Sequence, residues 1–103
     1  MANIIQLLHE RLTDESSWLL ASLLLEKQFV PKERLWELTN EHYQKEKNNK
    51  DKKQLIKSRH YLDNFMYRLE GAALVDVQII GQARLYKITE LGEQVLKFKI
   101  KGE

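Results

Sequence analysis

The spacing of apolar residues changes along the chain, and each change marks an element. Ile4, Ile5, Leu7, Leu8 and Leu12 make an apolar stripe on a short helix that ends near Arg11. Thr13 or Asp14 caps the next helix, and Glu15 suits its positive N-terminal end. Trp18, Leu19, Leu20, Leu23, Leu24 and Leu25 then cover most of a helix circumference. That pattern belongs to a helix buried on more than one side. Phe29-Val30 predicts a short strand, and Pro31 suits the first position of a new helix, where a missing amide costs nothing. Leu35, Trp36, Leu38, Thr39 and His42 recur at helical spacing. The polar stretch 44–50 predicts a turn at Asn48-Asn49. Asp51 is read as the cap of the following helix, whose apolar face is Leu55, Leu62, Phe65, Met66 and Leu69. An extension of the preceding helix into this charged segment is the alternative.

From Leu69 the period shortens. Gly71 ends the helix, since glycine tolerates the left-handed conformation that helix ends often need. Residues 73–79 alternate, with Val75, Val77 and Ile79 on one face and Asp76 and Gln78 on the other. Gly81-Gln82 predicts a tight turn whose first central residue has positive φ. Residues 84–88 alternate again, with Tyr86 and Ile88 on one face. Thr89 is a good N-cap for a closing helix carrying Leu91, Val95 and Phe98. The order is helix, helix, short strand, helix, helix, hairpin, helix. It implies a mainly helical α+β fold, and one domain fits 103 residues.

Residues 69–98 resemble the C-terminal half of a winged helix-turn-helix domain, as in MarR-like and PadR-like bacterial regulators. The residues that carry the resemblance are Gly71, Leu74-Val75, Gly81, Arg84, Tyr86, Ile88-Thr89 and Gly92. With the helices before them it covers about residues 14–98, which leaves residues 1–13 as a separate N-terminal helix. The resemblance implies a three-helix core with a two- or three-stranded β-hairpin wing and flanking helices.

Charge then points to one segment. The formal net charge is only +2, yet residues 45–61 hold seven Lys/Arg against two Asp/Glu. Residues 1–44 hold four against seven, and residues 62–103 hold six of each. The positive charge is therefore local, a feature that attracts polyanions. No cysteine occurs, which removes disulfides, zinc–thiolate sites and thiol nucleophiles and suits a reducing cytoplasm. No signal peptide is recognisable, and the longest apolar run, Trp18–Leu25, is too short to span a bilayer. His9, His42 and His60 fall on different helices without ligand spacing, so no metal site is expected. His42 is expected beside Tyr43, and Trp18 and Trp36 in core packing. No catalytic motif or cofactor signature stands out, so the chain is not expected to be an enzyme.

The resemblance places the third core helix in the DNA major groove and makes the chain a small cytoplasmic transcriptional regulator, a repressor by DNA occupancy. Gln54, Lys57, Ser58 and Tyr61 are the implied base or sugar contacts. Lys52, Lys53, Arg59 and His60 are the implied phosphate contacts. Side chains of these types bond base edges or displace counterions. Arg84 matches the family's wing arginine, with pairing to Asp76 across the hairpin as the alternative. The wing departs from the family because its tip, Ile80-Gly81-Gln82-Ala83, is short and uncharged. The N-terminal stripe is the candidate homodimer surface, against folding back on its own core. Two other readings stand beside DNA regulation. One is a winged-helix protein–protein module for an acidic partner. The other is an accessory replication or RNA-binding protein of a phage or mobile element.

Overall fold

The computed structural model describes residues 2–46 and 54–101. Five helices and a three-stranded antiparallel sheet follow one another along these residues. They are α1 (Ala2–Arg11), α2 (Asp14–Glu26), β1 (Val30–Pro31), α3 (Lys32–Glu46), α4 (Arg59–Gly71), β2 (Val75–Ile80), β3 (Ala83–Ile88) and α5 (Glu90–Lys101). The strand order is β1-β3-β2, so the long hairpin strand β2 is an edge. This is the α+β winged-helix layout expected from the sequence. The short strand lies one residue later than predicted: it is Val30–Pro31, so Pro31 is a strand residue opposite Leu85 and not the first residue of α3, and Val30 pairs with Tyr86.

α2 is the central helix. Thr13 caps it by accepting from the Ser16 amide at 3.0 Å, and Lys27 closes it in the left-handed conformation. Leu19, Leu20 and Leu23 are fully buried. Each such side chain contributes roughly 1.5–3 kcal/mol relative to exposure. Val30 of β1, Leu35 and Leu38 of α3, Ile56 ahead of α4, Leu62, Met66 and Leu69 of α4, Leu74 ahead of β2, Val75 of β2, Tyr86 and Ile88 of β3 and Val95 of α5 complete the same core. α1 divides its stripe. Ile5, Leu8 and Leu12 pack onto the core, while Ile4 and Leu7 remain 56% and 50% exposed. His9 ties α1 to α5 through a 3.1 Å contact between its Nδ1 and the Val95 carbonyl.

Two further sequence expectations change here. Gly71 is the last residue of α4, but the left-handed residue is Ala73, at φ 62°. The Leu74 amide donates to Leu69 O and the Ala73 amide to Glu70 O, which is the Schellman arrangement with alanine where glycine is usual. The second change concerns the start of α4. Its cap is Ser58, and residues 54–58 are not helical, so a helix running from Asp51 is excluded. The turn expected at Asn48-Asn49 and the Asp51 cap lie outside the described residues.

The predicted hairpin turn holds. Ile80 pairs with Ala83, and Gly81 between them has φ +61°. Thr89 caps α5 by accepting from the Gly92 amide at 2.9 Å.

Candidate nucleic-acid interface

The segment leading into α4 is fixed by α3. Ile56 is buried in the turn, and its backbone is held by two side chains. The Asn40 Oδ1 accepts from the Ile56 amide at 3.0 Å, and the Asn40 Nδ2 donates to the Ile56 carbonyl at 3.2 Å. The Trp36 indole donates to that same carbonyl at 2.8 Å. Trp36 therefore does more than pack. Neither Asn40 nor this clamp was legible in the sequence, because a buried asparagine on a helical stripe looks like any polar position.

Two ion pairs join the N-terminal ends of α3 and α4. Lys32 meets Asp63 at 2.8 Å, and Arg59 meets Glu33. Such exposed or half-exposed pairs contribute little stability individually, but they orient the first turn of α4.

The predicted contact residues fall into distinct positions. Lys52 and Lys53 lie outside the described residues. Gln54 and Lys57 are exposed but sit in the turn before α4, not on the helix. Ser58 is the N-cap, its hydroxyl accepting from the Tyr61 amide at 3.3 Å, so its side chain is already engaged. Arg59 is exposed and paired with Glu33. His60 and Tyr61 are exposed at the start of the helix, with the His60 ring 3.4 Å from the Asn64 amide.

One turn further, Asn64, Tyr67 and Arg68 are also exposed. Tyr67 and Arg68 were missed by the sequence reading, although steps of three and four from His60 and Asn64 reach them. The exposed residues of α4 are Arg59, His60, Tyr61, Asn64, Tyr67, Arg68 and Gly71, and none is acidic. The two acids of the helix, Asp63 and Glu70, are half-buried and occupied by Lys32 and Arg84.

Arg84 does not pair with Asp76. The hairpin register sets Asp76 opposite Lys87 and Arg84 opposite Ile79. Arg84 instead bonds Glu70 at 2.6 Å and the Tyr86 hydroxyl at 3.1 Å, and its guanidinium lies 6.0 Å from the Tyr67 ring centre. The hydrogen bonds to Tyr86 and Glu70 raise its pKa further above the ordinary arginine value, so it is a fixed cation that ties the wing to α4. The His42 Nδ1 lies 3.1 Å from the Ser22 hydroxyl, and Tyr43 stacks edge-on with Trp18.

Among the described residues, no group of three or more His, Cys, Asp or Glu side chains is placed to hold a metal ion, and no helix is long and apolar enough to cross a membrane. No protein-family model matches the chain. The chain is 40% identical over 101 residues to the DNA-binding protein TubR of Bacillus cereus (strain ATCC 10987 / NRS 248), covering 93% of this chain and 82% of that protein. The chain belongs to the TubR family. Within that membership, the acid-free face of α4 and the clamped turn before it are the features that a nucleic-acid reading has to use.

Proposed function

We propose that this protein binds double-stranded DNA, with α4 in the major groove and the turn before it on the phosphate backbone. The observation that carries the reading is the outward face of α4, whose exposed side chains include His60, Tyr61, Asn64, Tyr67 and Arg68 and none that is acidic. Kinship with a protein named for DNA binding supports it. A helix fits the major groove, about 12 Å wide, and Asn, Tyr and Arg can bond base edges there. Lys57, with Lys52 and Lys53 close by in sequence, supplies the charge that displaces counterions. The regulatory role is repression by occupancy in the cytoplasm, without catalysis or cofactor.

The test is fluorescence anisotropy of a labelled mixed-sequence duplex at several salt concentrations. Binding weakens steeply with salt in the wild-type chain. The Lys53→Glu, Lys57→Glu double variant loses binding by at least about a hundredfold at low salt, because each reversal replaces a phosphate attraction with a repulsion. Circular dichroism and melting of the variant are measured alongside to show that the fold survives, and Lys57 is exposed. Retained affinity in the double variant refutes the assignment. Wild-type chain that ignores duplex even at low salt moves the reading to an acidic protein partner, and preference for RNA over duplex in competition moves it to RNA.

The chain acts as a dimer through the outer stripe of α1 in this reading, which matches a two-fold symmetric DNA site. Ile4 and Leu7 are the large apolar side chains of that helix exposed among the described residues. Ile4→Asp with Leu7→Asp leaves the fold intact and shifts sedimentation velocity to monomer, with weaker DNA binding. An unchanged dimer in that variant places the interface elsewhere.

A further inference from the structure

The wing differs from a charged DNA-reading arm in three respects. First, its outer part stands clear of the body: every residue from Gln78 to Ala83 is exposed. Second, no charged residue occurs between Asp76 and Arg84. Third, Arg84, the nearest cation, is turned back onto Glu70, Tyr86 and Tyr67. What the tip offers instead is Ile79 and Ile80, 63% and 58% exposed. They lie on opposite faces of β2, next to a turn that only Gly81 bends to the left-handed region.

Exposed isoleucines on an edge strand are a liability, and proteins usually guard such an edge with lysine, proline or a bulge. β2 has none of these. Its ladder runs unbroken from Val75 to Ile80, and its single charge is Asp76. An unguarded apolar tip in this place needs an occupant.

We propose that Ile79 and Ile80 form an apolar wedge that enters the minor groove beside the major groove occupied by α4 and unstacks a base step there. The proposal rests on the DNA reading above and says how the wing takes part in it. Position favours DNA as the occupant: the hairpin follows α4 directly, and the Arg84–Glu70 pair fixes the wing beside the DNA-facing helix. Shape favours deformation. Two strands about 4.8 Å apart with their side chains are wider than an unperturbed minor groove of about 6 Å. Entry therefore opens the groove and bends the duplex toward the major groove, as apolar wedges do at base steps. Flexible pyrimidine–purine steps such as TA make the deformation cheapest.

The experiment uses the full chain and a duplex of about 30 base pairs with a central TA step, carrying a donor and an acceptor dye at its ends. Wild-type protein brings the ends closer and raises energy transfer. Ile79→Ser with Ile80→Ser abolishes that rise and weakens binding by about tenfold. The slope of affinity against salt stays unchanged, because no phosphate contact is lost. Gln82→Ala, at the same tip, changes neither readout. A double serine variant that binds and bends as wild type does overturns the wedge and leaves the DNA reading intact. Wild-type chain that fails to bind duplex at low salt removes both. Serine variants that lose self-association in sedimentation velocity while bending DNA normally also overturn the wedge, and assign the strand edge to a second copy of the chain.

Discussion

Gly92→Ala destabilises this protein by about 3 kcal/mol or more, even though alanine is the better helix former. Gly92 lies in the first turn of α5, and within a helix an ordinary glycine-to-alanine change gains up to roughly 0.5–1 kcal/mol. Here a Cβ at Gly92 meets the Leu74 carbonyl oxygen at 2.2 Å, the Leu74 carbonyl carbon at 3.2 Å and the Ile88 side chain at 2.8 Å. The closest neighbour is backbone, and it cannot rotate away. Leu74 O is also the acceptor for the Thr89 amide at 3.1 Å, so moving it breaks the junction between β3 and α5. Either α5 lifts off the start of β2 and loosens the seat of Val95, or the strand end shifts and takes Val75 with it. Steric cost therefore outweighs propensity. A loss of that size lowers the thermal midpoint by roughly 10–20 °C for a domain of this length. Gly71→Ala is the matched control, because a Cβ there meets nothing within 4 Å. Thermal melts of the two variants check the prediction, and a Gly92→Ala midpoint equal to wild type contradicts it.

Gly92 also shows how much of this molecule the sequence carries by itself. The glycine was visible as part of a family-like pattern, and the Thr89 cap and the Gly81 turn were visible from local rules, since each depends on residues within a turn of one another. The close approach of α5 to Leu74 depends on contacts across the fold and left no local mark. The same division explains the start of α4. Leu55 lies seven residues before Leu62, so helical periodicity extends naturally through residues 55–62. Two hydrogen-bonding residues of α3 overrule it by capturing the Ile56 backbone in a non-helical turn. Ser58 then starts the helix. Of the candidate contacts, Arg59, His60 and Tyr61 lie at exposed positions of α4, as the helical pattern implied. Arg84 could not be, because Glu70 is separated from it by the entire β2 strand and becomes its neighbour only when the wing packs on α4.

Asn40→Ala should impair the site and the fold together, and the comparison with Trp36→Phe separates the two clamp members. Asn40 is 7% exposed and spans both polar groups of Ile56. Truncation leaves the Ile56 amide without its partner in a buried position, which costs about 1–3 kcal/mol, and it leaves a small void beside Ile56, itself 1% exposed. The Ile56 carbonyl keeps the Trp36 indole, so the loss is not total. A fall of about 2–3 kcal/mol in denaturant stability is expected. Trp36→Phe removes one of two donors to the same carbonyl and keeps most of the apolar surface, so about 1 kcal/mol is expected. Function responds more than stability does. Ile56 is the anchor between α3 and the residues that begin the surface proposed to contact DNA, with Lys57 and the Ser58 cap immediately after it. Once Ile56 is released, Lys57 is no longer held at a fixed distance from His60 and Tyr61, and ordering that turn is charged against binding. Duplex affinity of Asn40→Ala, measured at a temperature where the variant remains folded, should fall by about tenfold or more while the salt slope shrinks. An Asn40→Ala protein that melts and binds like wild type would show that the clamp does not position the turn.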